Sequence, residues 1–271
     1  MTLVSTEWLN NNFNKVKIID ASWHLIKNRN AVEEYNKEHI KNAVFFDLDK
    51  NSNPKKNLLH SHFLPTISSH EKSISKMGIL NTDRIIIYCY SDLISSCRAW
   101  FQFLYFGHDP KLVSVLNGGM KKWKLENRKI TNSKTKIIPS KYKAKENNNM
   151  IKLKSQIEEN IKKKEFTVLD ARSKNRFLGL EPEPRQGVKS GSIKGSKSLP
   201  LNKLINTKDN TFLNKKKLKE IFNLKGINSN KIVMSCGSSV SASSLALAYS
   251  IINDDYMAKI YIGSWTEYGK K

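Results

Sequence analysis

Cys236 stands between the apolar run IVM and a helix-like stretch, inside the small-residue loop CGSSVSA. A thiol so placed has two readings: a buried cysteine ahead of a serine-rich helix cap, or a nucleophile in an anion cradle. The cradle reading rests on sterics. Small side chains let the backbone curl and aim successive N–H groups inward, and the N-terminus of a following helix adds its own field. A thiolate is an anion such a site can hold, and the thiolate is the nucleophilic form of cysteine. Gly237 would let the chain turn, Ser238 and Ser241 would add hydroxyls, and the amides of Gly237, Ser239, Val240 and Ser241 would line the cradle.

The chemistry open to this loop is narrowed by what it lacks. A phosphatase of the C-x5-R type needs arginine at position 242, where this chain has Ala242. All six histidines (24, 39, 60, 62, 70 and 108) lie in the first half, so a Cys–His hydrolase would need its base delivered from there. HSH at 60–62 has no companion cluster of ligands, so no metal is expected. No organic cofactor is implied either.

Arginine is scarce. Only seven of the 47 cations are arginine, yet three fall within DARSKNRFLGLEPEPR. Against a lysine background, Arg176 and Arg185 read as a planar, bidentate carboxylate clamp. The alternative is surface ion pairing with Glu181 and Glu183. The EPEP run is stiff and would hold Arg185 at a fixed reach.

The elements that must position these residues occur twice. VKIIDASWHL parallels FTVLDARSKNRF, RIIIYC parallels KIVMSC, and LVSVLNGGMKKW parallels KIYIGSWTEY, at an offset of about 150 residues. Each copy alternates β-branched runs with helical segments, so the expected fold is α/β: two tandem domains, each a parallel sheet flanked by helices. The expected boundaries are 1–133 for the first domain, 134–149 for a polar linker and 150–271 for the second. Ala242, Leu245, Ala246, Tyr249 and Ile252 recur at helical spacing and should face the sheet. Cys236 then falls at the carboxyl end of a strand, where open α/β sheets bind ligands.

Composition bounds the rest. A net charge of +23 on 271 residues could mark a nucleic-acid binder, but 40 of the 47 cations are lysine, scattered in short runs without interleaved aromatics. No specific nucleic-acid or membrane partner is expected. MTLVSTEWLNNNF lacks the basic start and apolar block of a signal peptide, and IIIYCY is far too short to span a bilayer. Three cysteines without a paired motif point to a reducing, cytoplasmic setting.

Taken together, ASWHL, EYNKEHI, FFDLD, FGHD, NGGMKKW, DARSKNRFLGLEPEPR, SGSIKGS and CGSSVSA make the chain resemble the tandem-rhodanese sulfurtransferases over nearly its whole length. The resemblance implies a catalytic cysteine, Cys236, in the second copy and none in the first. CGSSVS follows the mercaptopyruvate branch, with Ser239 and Ser241 in place of its usual Gly and Thr; thiosulfate enzymes carry basic residues there. The expected activity is therefore transfer of the sulfur of 3-mercaptopyruvate, through a Cys236 persulfide, to a thiol such as thioredoxin or to cyanide, with release of pyruvate. By the same resemblance Arg176 and Arg185 bind the substrate carboxylate and ketone, Asp49 backs Ser238 in a Cys–Ser–Asp relay, and His62 lies nearby. Arg172 is expected to be structural. Cys89 matches Cys236 in position, but its loop CYSDLISSC has no glycine and three bulky residues, so no second active site is expected. Ile262 and Asn117 depart from the usual aspartate and should affect turns more than chemistry. The competing readings are a thiosulfate:cyanide sulfurtransferase on the same fold and a non-catalytic binding module.

Overall fold

The computed structural model describes residues 2–25, 28–53, 62–227 and 229–271. It contains two five-stranded parallel sheets. The first uses β1 (Leu3–Val4), β2 (Lys17–Asp20), β3 (Ala43–Phe45), β4 (Ile85–Tyr88) and β5 (Val113–Leu116), in the order β1-β5-β4-β2-β3. The second uses β6 (Ile151–Lys152), β7 (Thr167–Asp170), β8 (Lys197–Ser198), β9 (Ile232–Ser235) and β10 (Ile260–Tyr261), in the order β6-β10-β9-β7-β8. Adding five to each label of the first order yields the second, so the sequence repeat is a repeat of topology.

The central strands explain themselves. Ile85, Ile86, Ile87 and Tyr88 are fully buried, as are Ile232, Val233, Met234 and Ser235. A parallel strand covered by helices on both faces reads as a continuous apolar run, because each crossover lays a helix on a face. In each sheet the strand beside this one ends in aspartate. Asp20 pairs in register with Tyr88, and Asp170 with Ser235. The helices that matter below are α1 (Ser96–Tyr105), α2 (Gly119–Leu125), α3 (Lys174–Leu178), α4 (Val240–Ile252) and α5 (Ser264–Tyr268).

The chain divides into two compact units that are not consecutive halves. The first comprises Met1–Asn51, Pro65–Asn147 and Asn206–Phe212; the second comprises Ser52–Leu64, Asn148–Ile205 and Leu213–Lys271. Each unit thus borrows a segment from the other half of the sequence. The stretch read as a linker also behaves differently from a free tether over residues 134–147. Ser140 donates its N–H to Ser75 O at 2.9 Å, Lys145 to Phe106 O at 3.0 Å and Asn147 to Tyr105 O at 2.8 Å. Tyr142 is buried and its hydroxyl meets His108 Nδ1 at 3.1 Å. Main-chain bonds to helix-end carbonyls hold this extended segment, which is why its polar composition conceals the docking. Among the described residues no helix is long and apolar enough to cross a membrane.

Candidate active site

Cys236 follows the last residue of β9 and precedes α4 by four positions. Helix α4 is buried on every side from Val240 to Tyr249, not only along the expected face of Ala242, Leu245, Ala246 and Tyr249; Ile252 is half-buried. A helix enclosed all round can carry serines only if their hydroxyls find partners. Ser243 Oγ donates to Ser239 O, one turn back, at 2.9 Å.

The loop itself is fastened by residues that the sequence reading passed over. Ser264 Oγ accepts from the N–H of Cys236 at 3.3 Å and of Ser239 at 3.1 Å, and donates to Tyr261 O at 2.9 Å. Trp265 N donates to Cys236 O at 2.9 Å, and Thr266 grips Gly237 O with both its N–H (2.9 Å) and its hydroxyl (2.6 Å). One of the amides expected to face the sulfur, that of Ser239, is therefore turned onto a serine hydroxyl, together with that of Cys236. The parallel between NGGM and IGSW was the signal: Gly119 and Ser264 both sit in the left-handed region, at φ 53° and 49°.

Gly237 also differs from expectation. It is Ser239, at φ 63°, that takes the left-handed turn, whereas Gly237 stays outside that region. A Cβ on Gly237 would lie 2.6 Å from Arg185 Nη1 and 3.1 Å from its Cζ. A side chain here would press on the guanidinium that lies against the loop.

Arg185 is 5% exposed and Cys236 is 2% exposed. Arg185 donates through Nη1 to Glu183 Oε1 at 3.1 Å and through Nη2 to Ser238 Oγ at 2.9 Å. Burial pulls its pKa down from the ordinary arginine value, while the charges of Glu183 and Cys236 push it back up. Arg176, on the capped turn α3, reaches the same Glu183 oxygen at 2.5 Å. The Nε of Arg176 and the Nε of Arg185 are both buried without a partner. Buried N–H donors in this state are uncommon, and each calls for an explanation.

Arg172 is paired within its own unit. It clasps Asp170 through Nε and Nη2 (2.7 Å at the shortest), donates to Gly191 O at 2.8 Å, and lies 4.6 Å over the Trp265 ring. Glu181 does not pair with the clamp arginines; it accepts from Ser173 Oγ and Asn175 Nδ2 at 3.2 and 2.9 Å.

His62 belongs to the same unit as Cys236, through the borrowed segment. It is buried, its Nδ1 meets Ser238 Oγ at 2.9 Å, and its carbonyl accepts from Ser239 Oγ at 3.4 Å. His60 lies outside the described residues. Asp49 belongs to the first unit, where it accepts from Trp23 Nε1 at 3.1 Å. Val240 and Ser241 form the first turn of α4, whose unsatisfied amides point back toward the loop. Cys89 ends β4 as Cys236 ends β9, but its Sγ donates to Ser96 Oγ at 3.3 Å and burial pushes its thiol up.

Comparison with known proteins bears on this arrangement. The rhodanese-like domain model matches residues 5–126 and again 153–271. The thiosulfate/3-mercaptopyruvate sulfurtransferase 2 of Arabidopsis thaliana is 34% identical over 98% of this chain and 83% of its own length. The human 3-mercaptopyruvate sulfurtransferase is 33% identical over 93% of this chain and 84% of its own. Among solved structures, SseA from Escherichia coli, described for the rhodanese fold and catalytic mechanism of 3-mercaptopyruvate sulfotransferases, superposes with a TM-score of 0.86. That match has 26% identity and covers 98% of this chain and 99% of the other.

Proposed function

Because this chain belongs to the rhodanese family, with a rhodanese-like domain in each half, we propose that it moves the sulfur of 3-mercaptopyruvate through a Cys236 persulfide to an acceptor. The observation that carries the reading is a buried Arg185 lying against Gly237 and Ser238 of the Cys236 loop, with Arg176 sharing its Glu183 oxygen and both Nε donors unused. A 2-oxo acid offers the matching acceptors, a carboxylate and a ketone oxygen.

In the reaction, the Cys236 thiolate attacks the substrate sulfur. The S–S bond forms as the C–S bond breaks, and the bonding pair moves to carbon to give the enolate of pyruvate. Amides of Gly237, Ser238, Val240 and Ser241 are available to the sulfur, since Ser264 holds those of Cys236 and Ser239. Arg185 and Arg176 orient the carboxylate and balance charge growing on the ketone oxygen. A proton then reaches the enolate carbon to complete pyruvate. Ser238 is its donor: its oxygen accepts from Arg185, and its link to His62 Nδ1 supplies the path for reprotonation. A second thiol (a thioredoxin-like protein would serve) or cyanide takes the outer sulfur and regenerates the thiolate. A reducing compartment such as the cytoplasm suits this chemistry and the three free cysteines.

The test is to supply mercaptopyruvate and follow pyruvate release together with a gain of one sulfur on Cys236. Unchanged turnover in Cys236→Ala would end the proposal. Thiosulfate at equal concentration separates it from the second reading, which the double name of the Arabidopsis relative keeps in play.

A further inference from the structure

Glu183 is the least expected group near the thiol. Its side chain is 1% exposed, yet it carries no chemistry of its own. Its Oε1 receives Arg176 and Arg185, and its Oε2 faces Arg172 at 3.4 Å. The backbone that delivers it is restricted twice over. Pro182 precedes it, and Pro184 disfavours the helical region for residue 183, leaving it extended. Arg172 is already matched by Asp170 at 2.7 Å. Leaving aside the Cys236 sulfur, whose charge is common to every anion compared, the two clamp guanidiniums and the one Glu183 carboxylate carry a single net positive charge.

We propose that Glu183 is the specificity-determining residue of the clamp: a positioning residue that holds the two guanidiniums at one spacing and sets their net charge for a monoanionic donor. The inference rests on the 2-oxo-acid reading above. Its physical basis is charge matching. A monocarboxylate neutralises a net single charge in a buried site, whereas a dianion such as thiosulfate or sulfate brings one uncompensated negative charge into the same low-dielectric surroundings. Removing the Glu183 charge while keeping its shape should reverse that preference. The carboxylate also holds Arg176 and Arg185 on one oxygen, so a shortened side chain should alter spacing but not charge.

The test reads anion binding without requiring turnover. Alkylation of Cys236 by iodoacetamide is measured in the full chain at constant ionic strength, with pyruvate as monoanion and sulfate as dianion protecting the thiol. The unmodified protein should be protected at lower pyruvate than sulfate. In Glu183→Gln the sulfate concentration required should fall about tenfold relative to that of pyruvate, the effect of roughly one residual charge interaction. Glu183→Asp, which keeps the charge, should retain the original ratio even if both concentrations rise. Equal shifts for both anions in Glu183→Gln, or the same reversal in Glu183→Asp, overturn the proposal. If Glu183→Gln does not fold, the unmodified protein still decides it: stronger protection by sulfate than by pyruvate is the overturning result. Failure of the parent reading shows separately, as absence of pyruvate release from mercaptopyruvate.

Discussion

Cys89 and Cys236 end equivalent strands, and their carbonyls accept equivalent bonds: Cys89 O from Met120 N at 3.0 Å, Cys236 O from Trp265 N at 2.9 Å. From there the two loops diverge. The second copy reaches its helix after three residues, 237–239, and presents Arg185 against a glycine. The first copy takes six residues, 90–95, with Ile94 buried and in the left-handed region at φ 48°. Its thiol hydrogen-bonds to Ser96 Oγ, and the guanidinium beside this loop, Arg29, is engaged by Tyr90 O at 3.0 Å and by Glu34. The lesson is that a strand-end cysteine ahead of a helix is not a site by itself. A short loop of small residues, with a buried guanidinium against its glycine and its serine, makes the difference.

The broadest way to break this comparison is to remove each sulfur. Cys236→Ala should lower sulfur transfer by about a thousandfold or more, while Cys89→Ala should leave it near the original rate in the mercaptopyruvate assay. Loss of activity in both would mean that the first loop is more than a packed remnant.

The strand-end aspartates offer a second contrast. Asp170 faces Arg172, with both side chains 1% exposed. Asp170→Asn removes the nearest counter-charge of a buried guanidinium and should destabilise the fold by about 3–5 kcal/mol in urea melts. Asp20 accepts hydrogen bonds from Ser22 N and Oγ. Burial raises its pKa from 3.8 to about 6, with the Ser22 bonds opposing the shift. The folded state therefore binds the Asp20 proton more tightly than the unfolded chain does. Stability on this account falls as pH rises from about 4 to about 6, and the penalty is complete above that range. Asp20→Asn should stabilise the protein at pH 7.5 by about 1–3 kcal/mol, a gain that shrinks when the melts are repeated near pH 4.

Two glycines separate stability from chemistry. A Cβ on Gly119 would sit 2.4 Å from Cys89 O, at φ 53°. Gly119→Ala should cost about 1–3 kcal/mol of stability with little change in turnover by surviving enzyme. Gly237→Ala instead pushes on the Arg185 guanidinium and should lower kcat/KM about tenfold or more with a smaller shift in Tm. The reverse pattern would mean that Arg185 is not the constraint on residue 237.

The smallest effect concerns Ser239, a non-glycine residue at φ 63°. Ser239→Gly relieves that conformation but gives up the hydroxyl's bond to Ser238 O at 2.7 Å. A net stabilisation of about 0.5–1 kcal/mol is expected. Destabilisation in thermal melts would assign the hydroxyl more weight than the backbone.

Much of this was legible from residue types. The runs IIIY and IVM, the paired DA strand ends and the CGSSVSA loop carry the two parallel sheets and place Cys236 at a strand end, because burial periodicity and small-residue loops are local properties. Arg176 and Arg185 were visible as planar donors in a lysine-rich chain. Glu183 was visible only as a candidate surface partner for them. That it is buried between three arginines depends on how the EPEP turn folds back over β7 and β9, which no local pattern encodes. The same holds for Ser264, whose hydroxyl takes up the Ser239 amide expected at the sulfur.

From its sequence alone the protein is a duplicated α/β chain with one reactive-looking thiol and a scarce pair of arginines, since hydrophobic period and residue chemistry can be read without coordinates. Tertiary structure decided the company each group keeps. It moved residues 52–64 into the second unit, so a histidine from the first half of the chain meets Ser238, and it closed Gly237 against Arg185. Hydrogen bonds and steric contact act over a few ångströms of space regardless of separation along the chain, and that proximity is what turns a cysteine into a site.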